Sequence, residues 1–424
     1  EGDAALRWNW DSPLLVSVHK PTRIYFGANR LFRSDDRGDS WTPLSGDLSR
    51  QIDRNKLPVM GKVWSMDAVA KNASTDIYGN LVSISESKFD ERHLVVGTDD
   101  GLIQVTKDAG LTWTKVDNIP GVPERTYVNQ IIASSHDANT FYAAFNHHRY
   151  GDFKPYLFKS TNGGLNWTPI QGDLPVRGSV YCIAEDSGSP NLLFAGTEFG
   201  VFFTIDGGKQ WVQLKGGLPI IAVRDIAIQK RETDLVLGTF GRGIYILDDY
   251  SPLRNLKKED FQKEAVIFPI KDSWMYIEGR PFGAPLKGFH GESFFSMANP
   301  EVGSVFTYFI KDDLKTIKDL RKEREKELIK KAEPVPYPSK DSILLEDNQP
   351  KPYLLFTIKD ASGNIVRKLK KDAKKGMNRI VWDFRYASSG PVTFAVPDPS
   401  NPYDVAENGY LALPRAAVFS MPLS

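Results

Sequence analysis

The stretch Thr106-Lys107-Asp108-Ala109-Gly110-Leu111-Thr112-Trp113 contains the pattern that decides the fold of this chain. A small hydroxyl residue comes first, Asp or Asn third, Gly fifth and Trp eighth. The pattern occurs four times, and its other copies are residues 34–41, 160–167 and 204–211. We expect a tight turn at each copy, because Asp and Asn side chains bind the backbone of their own turn and glycine adopts positive φ at little cost.

Each copy follows two short β-rich runs that are separated by a turn, as in residues 94–105 and 193–203. Runs of β-branched and aromatic residues around such a turn predict a β-hairpin. A short polar strand follows each tryptophan, and then comes a further apolar strand. These further strands are predicted at residues 63–69, 127–133, 180–184 and 223–228. The repeat therefore has four strands.

The spacing of the repeats predicts an all-β fold made of β-propeller blades. The four tryptophans are 72, 54 and 44 residues apart, and a four-stranded blade takes about 40–50 residues, so the two longer repeats contain insertions. A fifth hairpin at residues 235–247 lacks the pattern and is interpreted as a terminal blade. Residues 1–250 are thus predicted to form five blade units of a larger ring, with further blades expected before Glu1.

The four motifs resemble the Asp-box, also called the BNR repeat, of sialidases and sortilin-type receptors. Residues 10–34 in particular resemble large secreted bacterial proteins with sortilin-like Asp-box repeats, often classed as glycosyl hydrolases. The resemblance implies a secreted, periplasmic or outer-membrane-associated protein of a bacterium. It also implies a C-terminal immunoglobulin-like domain.

The third and eighth residues of each motif are predicted to be structural. Turn chemistry assigns the Asp or Asn to the turn, and each tryptophan is expected to pack between strands. These residues are Asp36, Trp41, Asp108, Trp113, Asn162, Trp167, Asp206 and Trp211.

The sequence changes character after residue 250. Residues 251–264 are polar and are predicted to be a linker. Residues 265–424 are predicted to form an immunoglobulin-like β-sandwich, with strands at 305–310, 354–358 and 377–384. Apolar residues at helical spacing and opposite charges one turn apart predict an inserted charged helix at about 312–332.

Composition excludes several classes of protein. The 424 residues include 54 Lys and Arg against 53 Asp and Glu, and 41% are hydrophobic, which excludes a disordered chain and gives no basic footprint for nucleic acid. Cys182 is the single cysteine, so no intrachain disulfide is possible. No apolar run is long enough to span a membrane. The sequence has no residues at the spacing of metal ligands and no cofactor-binding motif, so neither a metal nor a cofactor is expected.

The blade ends opposite the motifs are expected to bind a ligand. Loops between second and third strands and entries to the first strands carry aromatic, acidic and basic residues together, which suits a protein or a glycan. The predicted binding residues are Trp64, Asp100, Tyr127, Asn146, His147, His148, Arg224 and Arg242. A solvated loop face without a ligand is the simpler alternative.

Catalysis is the alternative that the carboxylates leave open. A glycosidase needs two carboxyl groups about 5–10 Å apart, and Asp99, Glu198 and Asp225 are the candidates near the propeller axis. The sequence favours a non-catalytic binding or scaffolding protein. A glycoside hydrolase acting on a polysaccharide is the alternative, and a subunit of an envelope complex is a third possibility.

Overall fold

The computed structural model describes residues 5–69, 78–276 and 299–387. The chain divides into two compact units, residues 1–254 and 255–424. The parts of the predicted sandwich at residues 277–298 and 388–424 lie outside the described residues.

The described part of the first unit contains four four-stranded antiparallel sheets and one three-stranded sheet. In each sheet the strands follow chain order, and we call the sheets blades 1 to 5. Blade 1 consists of β1 (Leu14–Val16), β2 (Ile24–Gly27), β3 (Leu31–Ser34) and β4 (Thr42–Pro43). Blade 2 consists of β5 (Leu81–Glu86), β6 (Leu94–Thr98), β7 (Ile103–Thr106) and β8 (Thr114–Val116). Blade 3 consists of β9 (Tyr127–Ala133), β10 (Phe141–His147), β11 (Asp152–Ser160) and β12 (Thr168–Pro169). Blade 4 consists of β13 (Val180–Glu185), β14 (Leu193–Thr197), β15 (Gly200–Thr204) and β16 (Val212–Gln213). Blade 5 consists of β17 (Val223–Gln229), β18 (Asp234–Thr239) and β19 (Ile244–Leu247).

The blades pack face to face through apolar side chains, which makes the first unit a propeller-like all-β fold. First strands of consecutive blades lie next to each other and line a common cavity of about 470 Å³. All six residues of β5 and all six of β13 are buried, because both faces of these strands are covered by neighbouring blades. Continuous apolar and small residues, rather than strict alternation, are what such a strand requires.

Two glycines allow neighbouring blades to approach closely. A Cβ atom on Gly97 in β6 would overlap the side chain of Val128 in β9. A Cβ on Gly196 in β14 would overlap Cys182 Sγ and come within 2.8 Å of the carbonyl oxygen of Val223. The Gly-Thr pair at the end of each of these strands therefore contains glycine because a larger residue would clash with the neighbouring blade.

The structure corrects the predicted strand at residues 63–69, which form no strand. The first strand of blade 2 is β5, and Trp64, in the irregular segment before it, is 44% exposed. The physical reason is burial, since a first strand is covered on both faces. The small and apolar residues of β5 fit that environment, whereas Trp64 and Met66 do not.

The second unit contains a three-stranded and a two-stranded antiparallel sheet in its described part. Strands β20 (Ala265–Ile267), β21 (Ser304–Ile310) and β24 (Gly376–Trp382) form the first sheet. Strands β22 (Tyr353–Lys359) and β23 (Ile365–Asp372) form the second. The sheets share a small core in which the rings of Tyr308 and Phe356 lie 4.9 Å apart.

Two helices lie between β21 and β22 in sequence: α1 (Ile317–Lys330) and α2 (Lys340–Asn348). Helix α1 begins with a reciprocal cap between Thr316 and Asp319, as expected for a Thr three residues before an acidic residue. Arg321 donates to Glu325 one turn later and to Glu346 of α2. The stretch predicted as a linker contains two short 3-10 helices, Ser251–Asn255 and Lys258–Gln262.

Candidate functional site

The four repeated turns have the same hydrogen bonds. In the second copy, the backbone N–H of Thr112 donates to Asp108 Oδ1 at 2.9 Å and that of Gly110 donates to Thr106 Oγ1 at 2.9 Å. The corresponding bonds to Asp36, Asn162 and Asp206 measure 2.9, 2.9 and 3.0 Å. Hydrogen bonds, first from Thr112, lower the pKa of Asp108 to about 2. These side chains bind their own turns, and we call this end of the blades the motif end.

Each motif glycine has positive φ, from 90° to 103°. The tryptophans differ in burial: Trp211 is 7% exposed and donates its indole N–H to the carbonyl of Ile170 in the preceding blade at 2.9 Å, whereas Trp41 is 40% exposed. Trp41 belongs to blade 1, whose outward face packs on no earlier blade among the described residues. The motif tryptophan thus packs on the preceding blade where the structure describes one.

The opposite end of the blades, which we call the loop face, carries the connections between second and third strands and the entries to the first strands. A cavity of about 90 Å³ opens there. Its lining residues are Tyr78, Asp99, Arg125, Tyr127, Asn146, His147, Arg149 and Tyr150. The structure thus brings together Asp99, Tyr127, Asn146 and His147 from the sequence candidates.

Asp99 is buried and fully bound by donors. Oδ1 accepts from the backbone N–H groups of Gly79 at 3.0 Å and Asn80 at 2.7 Å, and Oδ2 accepts from the side chains of Asn80 and Asn9 at 3.2 Å each. Burial raises the pKa of Asp99 to about 6, although these hydrogen bonds act in the opposite direction. Asp100 is buried as well, and it accepts from the Thr98 hydroxyl and the Arg50 backbone N–H.

Tyr127 lines the cavity. Its hydroxyl donates to Asp11 Oδ2 at 3.3 Å, and the guanidinium of Arg149 lies 5.3 Å from its ring centre. Burial first, then the nearby charges of Asp11 and Asp99, raise the pKa of this phenol. A neutral tyrosine hydroxyl with a cation over its ring can donate or accept a hydrogen bond, and it is not poised as a nucleophile.

The two adjacent histidines have different surroundings. His147 stacks on Tyr150 with ring centres 4.4 Å apart, and its Nδ1 lies 2.9 Å from the Thr126 hydroxyl. His148 Nδ1 is within hydrogen-bond distance of Asn146 Oδ1. Burial lowers the pKa of both histidines, so both imidazoles are neutral at pH 7.

A second cluster lies on blades 4 and 5. The Tyr181 hydroxyl donates to Glu198, and the guanidinium of Arg224 lies 3.7 Å from the Tyr181 ring centre and 5.2 Å from that of Phe240. Burial raises the pKa of Tyr181 to about 12. His148 of blade 3 is close enough to Arg224 and Glu198 of this cluster to interact with both electrostatically.

The other sequence candidates lie apart from these clusters. Trp64 is in the irregular segment before blade 2, where Lys62 Nζ lies 4.7 Å from the centre of its ring. Asp225 and Arg242 are exposed on blade 5, and Asp225 accepts the backbone N–H of Ile226. The three catalytic candidates Asp99, Glu198 and Asp225 are on blades 2, 4 and 5, and among the described residues each accepts hydrogen bonds from different donors.

Sequence reasoning missed Tyr78. It places Arg125, Arg149 and Tyr150 on the loop face but does not include them among the predicted binding residues. Tyr78 is in the insertion before β5, and nothing in its sequence context marks it. The backbone of Arg125 has a φ of 59°, which is uncommon for a residue other than glycine.

The described residues hold no group of three or more His, Cys, Asp or Glu side chains arranged for a metal ion. Cys182 is buried, and desolvation raises the pKa of its thiol, so it is unreactive at neutral pH. In the described ranges, neither α-helix has the length and apolar character that a membrane crossing requires.

No protein-family model and no curated protein matches this chain. Among solved structures, an ancestral GH74 enzyme is 15% identical, with a TM-score of 0.42 over 57% of this chain and 30% of that chain. The GH74 xyloglucanase of Xanthomonas campestris is 19% identical, with a TM-score of 0.40 over 55% of this chain and 36% of that chain. The β-propeller domain of Cps50 (Swd1) from Myceliophteria thermophila is 14% identical, with a TM-score of 0.36 over 57% of this chain and 64% of that domain. This chain therefore spans about a third of each of the two GH74 chains.

Proposed function

We propose that this protein is a non-catalytic binding or scaffolding protein of the bacterial cell envelope or exterior, which uses its loop face to bind a protein or a glycan. The observation that supports the proposal is the set of tyrosines, histidines and arginines that the loop face carries from the segment before blade 2 to blade 5. Concave sites with several aromatic side chains and a few polar groups are typical of ligand binding.

We further propose that the chain belongs to the sortilin-like Asp-box family and that its second unit is immunoglobulin-like. Support comes from the four turns, whose Asp or Asn side chains accept the same backbone hydrogen bond, as in Asp36 and Asp108. The two sheets of the second unit that share one core support a sandwich. The same proposal is compatible with a role as a component of an envelope complex.

A glycoside hydrolase remains the second candidate because the pKa of Asp99 is raised to about 6, as a general acid requires. Its carboxylate, however, is saturated by four N–H donors, so it has no free position from which to protonate a glycosidic oxygen. The loop-face geometry therefore favours binding over hydrolysis.

The test measures binding and turnover together on panels of glycans and peptides. Phe240, 68% exposed on the loop face, is changed to Ala, and Phe89, 53% exposed in the turn after β5 at the motif end, is the matched control. We expect wild type and Phe89→Ala to bind a ligand without releasing products, and Phe240→Ala to bind more weakly. Release of products by wild type, lost in Asp99→Asn, would establish the hydrolase instead.

A further inference from the structure

Three arginines on the loop face have no anionic partner. Arg125 lies 6.0 Å from the ring centre of Tyr150, Arg149 lies over Tyr127, and Arg224 lies over Tyr181. Among the described residues, none of these guanidinium groups forms a hydrogen bond or an ion pair. A guanidinium on an aromatic ring is held in place while its N–H groups stay available for a carboxylate.

Four carboxylates of the loop face are bound by other groups, and two further ones, Asp11 and Asp225, are exposed. Asp99 and Asp100 are buried and accept the donors described above, and Glu198 accepts the Tyr181 hydroxyl. Asp152 accepts the Tyr156 hydroxyl at 2.6 Å and the Lys154 backbone N–H at 3.1 Å. None of these four carboxylates forms an ion pair with Arg125, Arg149 or Arg224. Arg149 and Arg224 are exposed, so their N–H groups are available to a ligand.

Exposed aromatic rings lie on three consecutive blades, and two of these blades also carry the arginines. Tyr150 is 54% exposed, Phe199 46% and Phe240 68%, and each lies in the connection between the second and third strands of its blade. The backbone strain at Arg125 lies beside the first of them. Uncommon backbone conformations of this kind concentrate at binding sites.

We infer that the loop face binds an acidic polysaccharide, one whose sugar rings carry carboxylate groups. This inference rests on the proposed binding function and specifies its ligand. Each unit of such a polymer offers an apolar ring face for an aromatic side chain and a carboxylate for a guanidinium, and the polymer repeats both along its length. One exposed ring per blade, with arginines on blades 3 and 5, matches that repetition.

The experiment uses the full chain and isothermal titration calorimetry with oligogalacturonate. The matched probe is the same oligosaccharide with its carboxylates methyl-esterified, which keeps the sugar rings and removes the charge. We expect esterification to weaken binding at least about tenfold, and Arg149→Gln and Arg224→Gln each to weaken binding of the acidic form by about tenfold. Arg231→Gln, which removes the same charge at the motif end of blade 5, should bind as wild type does.

Three outcomes overturn the inference. Equal binding of both oligosaccharides, weakened by Phe240→Ala but not by the arginine variants, would keep the proposed binding function and reject an acidic ligand. Tighter binding of poly-glutamate than of oligogalacturonate would make the ligand an acidic peptide. A loop face that binds neither these probes nor any member of the glycan and peptide panels would reject both the inference and the proposed function.

Discussion

The two ends of the blades use charged side chains in different ways. At the motif end, Glu185 accepts from the Ser134 hydroxyl at 2.8 Å, the Ser135 backbone N–H at 2.6 Å and the Tyr142 hydroxyl at 3.0 Å, which links blade 4 to blade 3. At the loop face, Arg149 and Arg224 have aromatic rings beneath them and no anionic partner among the described residues. The glutamate at the motif end links two blades, whereas the guanidinium groups of these two arginines are available to a ligand.

The link at the motif end is repeated between blades 1 and 2. Glu86 accepts from the Ser17 hydroxyl at 2.7 Å, the Val18 backbone N–H at 3.0 Å and the Tyr25 hydroxyl at 2.9 Å. A buried carboxylate with several donors is stable, but it becomes costly when a donor or the carboxylate is removed. The comparison therefore predicts that substitutions at the motif end change stability and substitutions at the loop face change binding.

The largest effect is expected for Trp211→Ala. This side chain is buried against the preceding blade, so its removal leaves a cavity and should lower the free energy of unfolding by about 3–5 kcal/mol in urea denaturation. Trp41→Ala is the matched control, and a loss of about 1 kcal/mol is expected because that ring is 40% exposed. Equal losses would show that the motif tryptophans do not act by packing on the preceding blade.

Glu185→Ala should lower the free energy of unfolding by about 3 kcal/mol, because it leaves Tyr142 and two serine groups without an acceptor. Glu198→Ala on the loop face removes one acceptor, that of Tyr181, and about 1 kcal/mol is expected. Chemical denaturation of both variants measures the difference. A larger loss for Glu198→Ala would reverse the assignment of the two ends.

The pH dependence of stability should differ between Asp99 and Asp108. The pKa of Asp99 is raised to about 6 in the folded state, so its contribution is present below about pH 4 and is lost, to the extent of about 3 kcal/mol, as pH rises through 6. The pKa of Asp108 is lowered to about 2, so its contribution is present above about pH 4 and is lost as pH falls toward 2.

Denaturation of Asp99→Asn and Asp108→Asn from pH 3 to pH 7 separates the two contributions. Relative to each variant, wild type should lose stability toward higher pH in the first case and toward lower pH in the second. A shared direction would mean that the four donors to Asp99 outweigh its burial.

The smallest effect on stability is expected for Arg149→Gln. The side chain is exposed and its guanidinium forms no hydrogen bond within the described ranges, so the free energy of unfolding should stay within about 0.5 kcal/mol of wild type. A loss above about 1 kcal/mol would show that Arg149 supports the fold.

The repeat can be recognised in the sequence because each turn requires the same residue types at fixed positions. Asp108, Gly110 and Trp113 stand at fixed offsets, so hairpins and blade order follow from spacing alone. The first strand of blade 2 was misplaced to residues 63–69 because an insertion of unknown length separates the blades, and short apolar runs on both sides compete for one position. The first strand of blade 2 is β5 because its residues suit burial on both faces. That burial arises only when the blades are assembled.

The site was predictable to a smaller extent. Tyr127, Asn146 and His147 were placed on the loop face by strand phase, and the structure gathers them around one cavity. The sequence makes Asp99 a catalytic candidate. Its carboxylate, however, accepts hydrogen bonds from Asn9, Gly79 and Asn80, and these contacts join segments that are distant in sequence. Helix α2 was not predicted, since its mixed sequence shows no clear apolar face.

Hydrogen–deuterium exchange of the full chain, with and without the ligand selected from the glycan and peptide panels, tests the central claim most directly. Binding at the loop face predicts protection of backbone amides at residues 146–152, 197–200 and 239–243, with no change in the turns at 106–113 and 204–211. Protection confined to those motif turns would contradict the account.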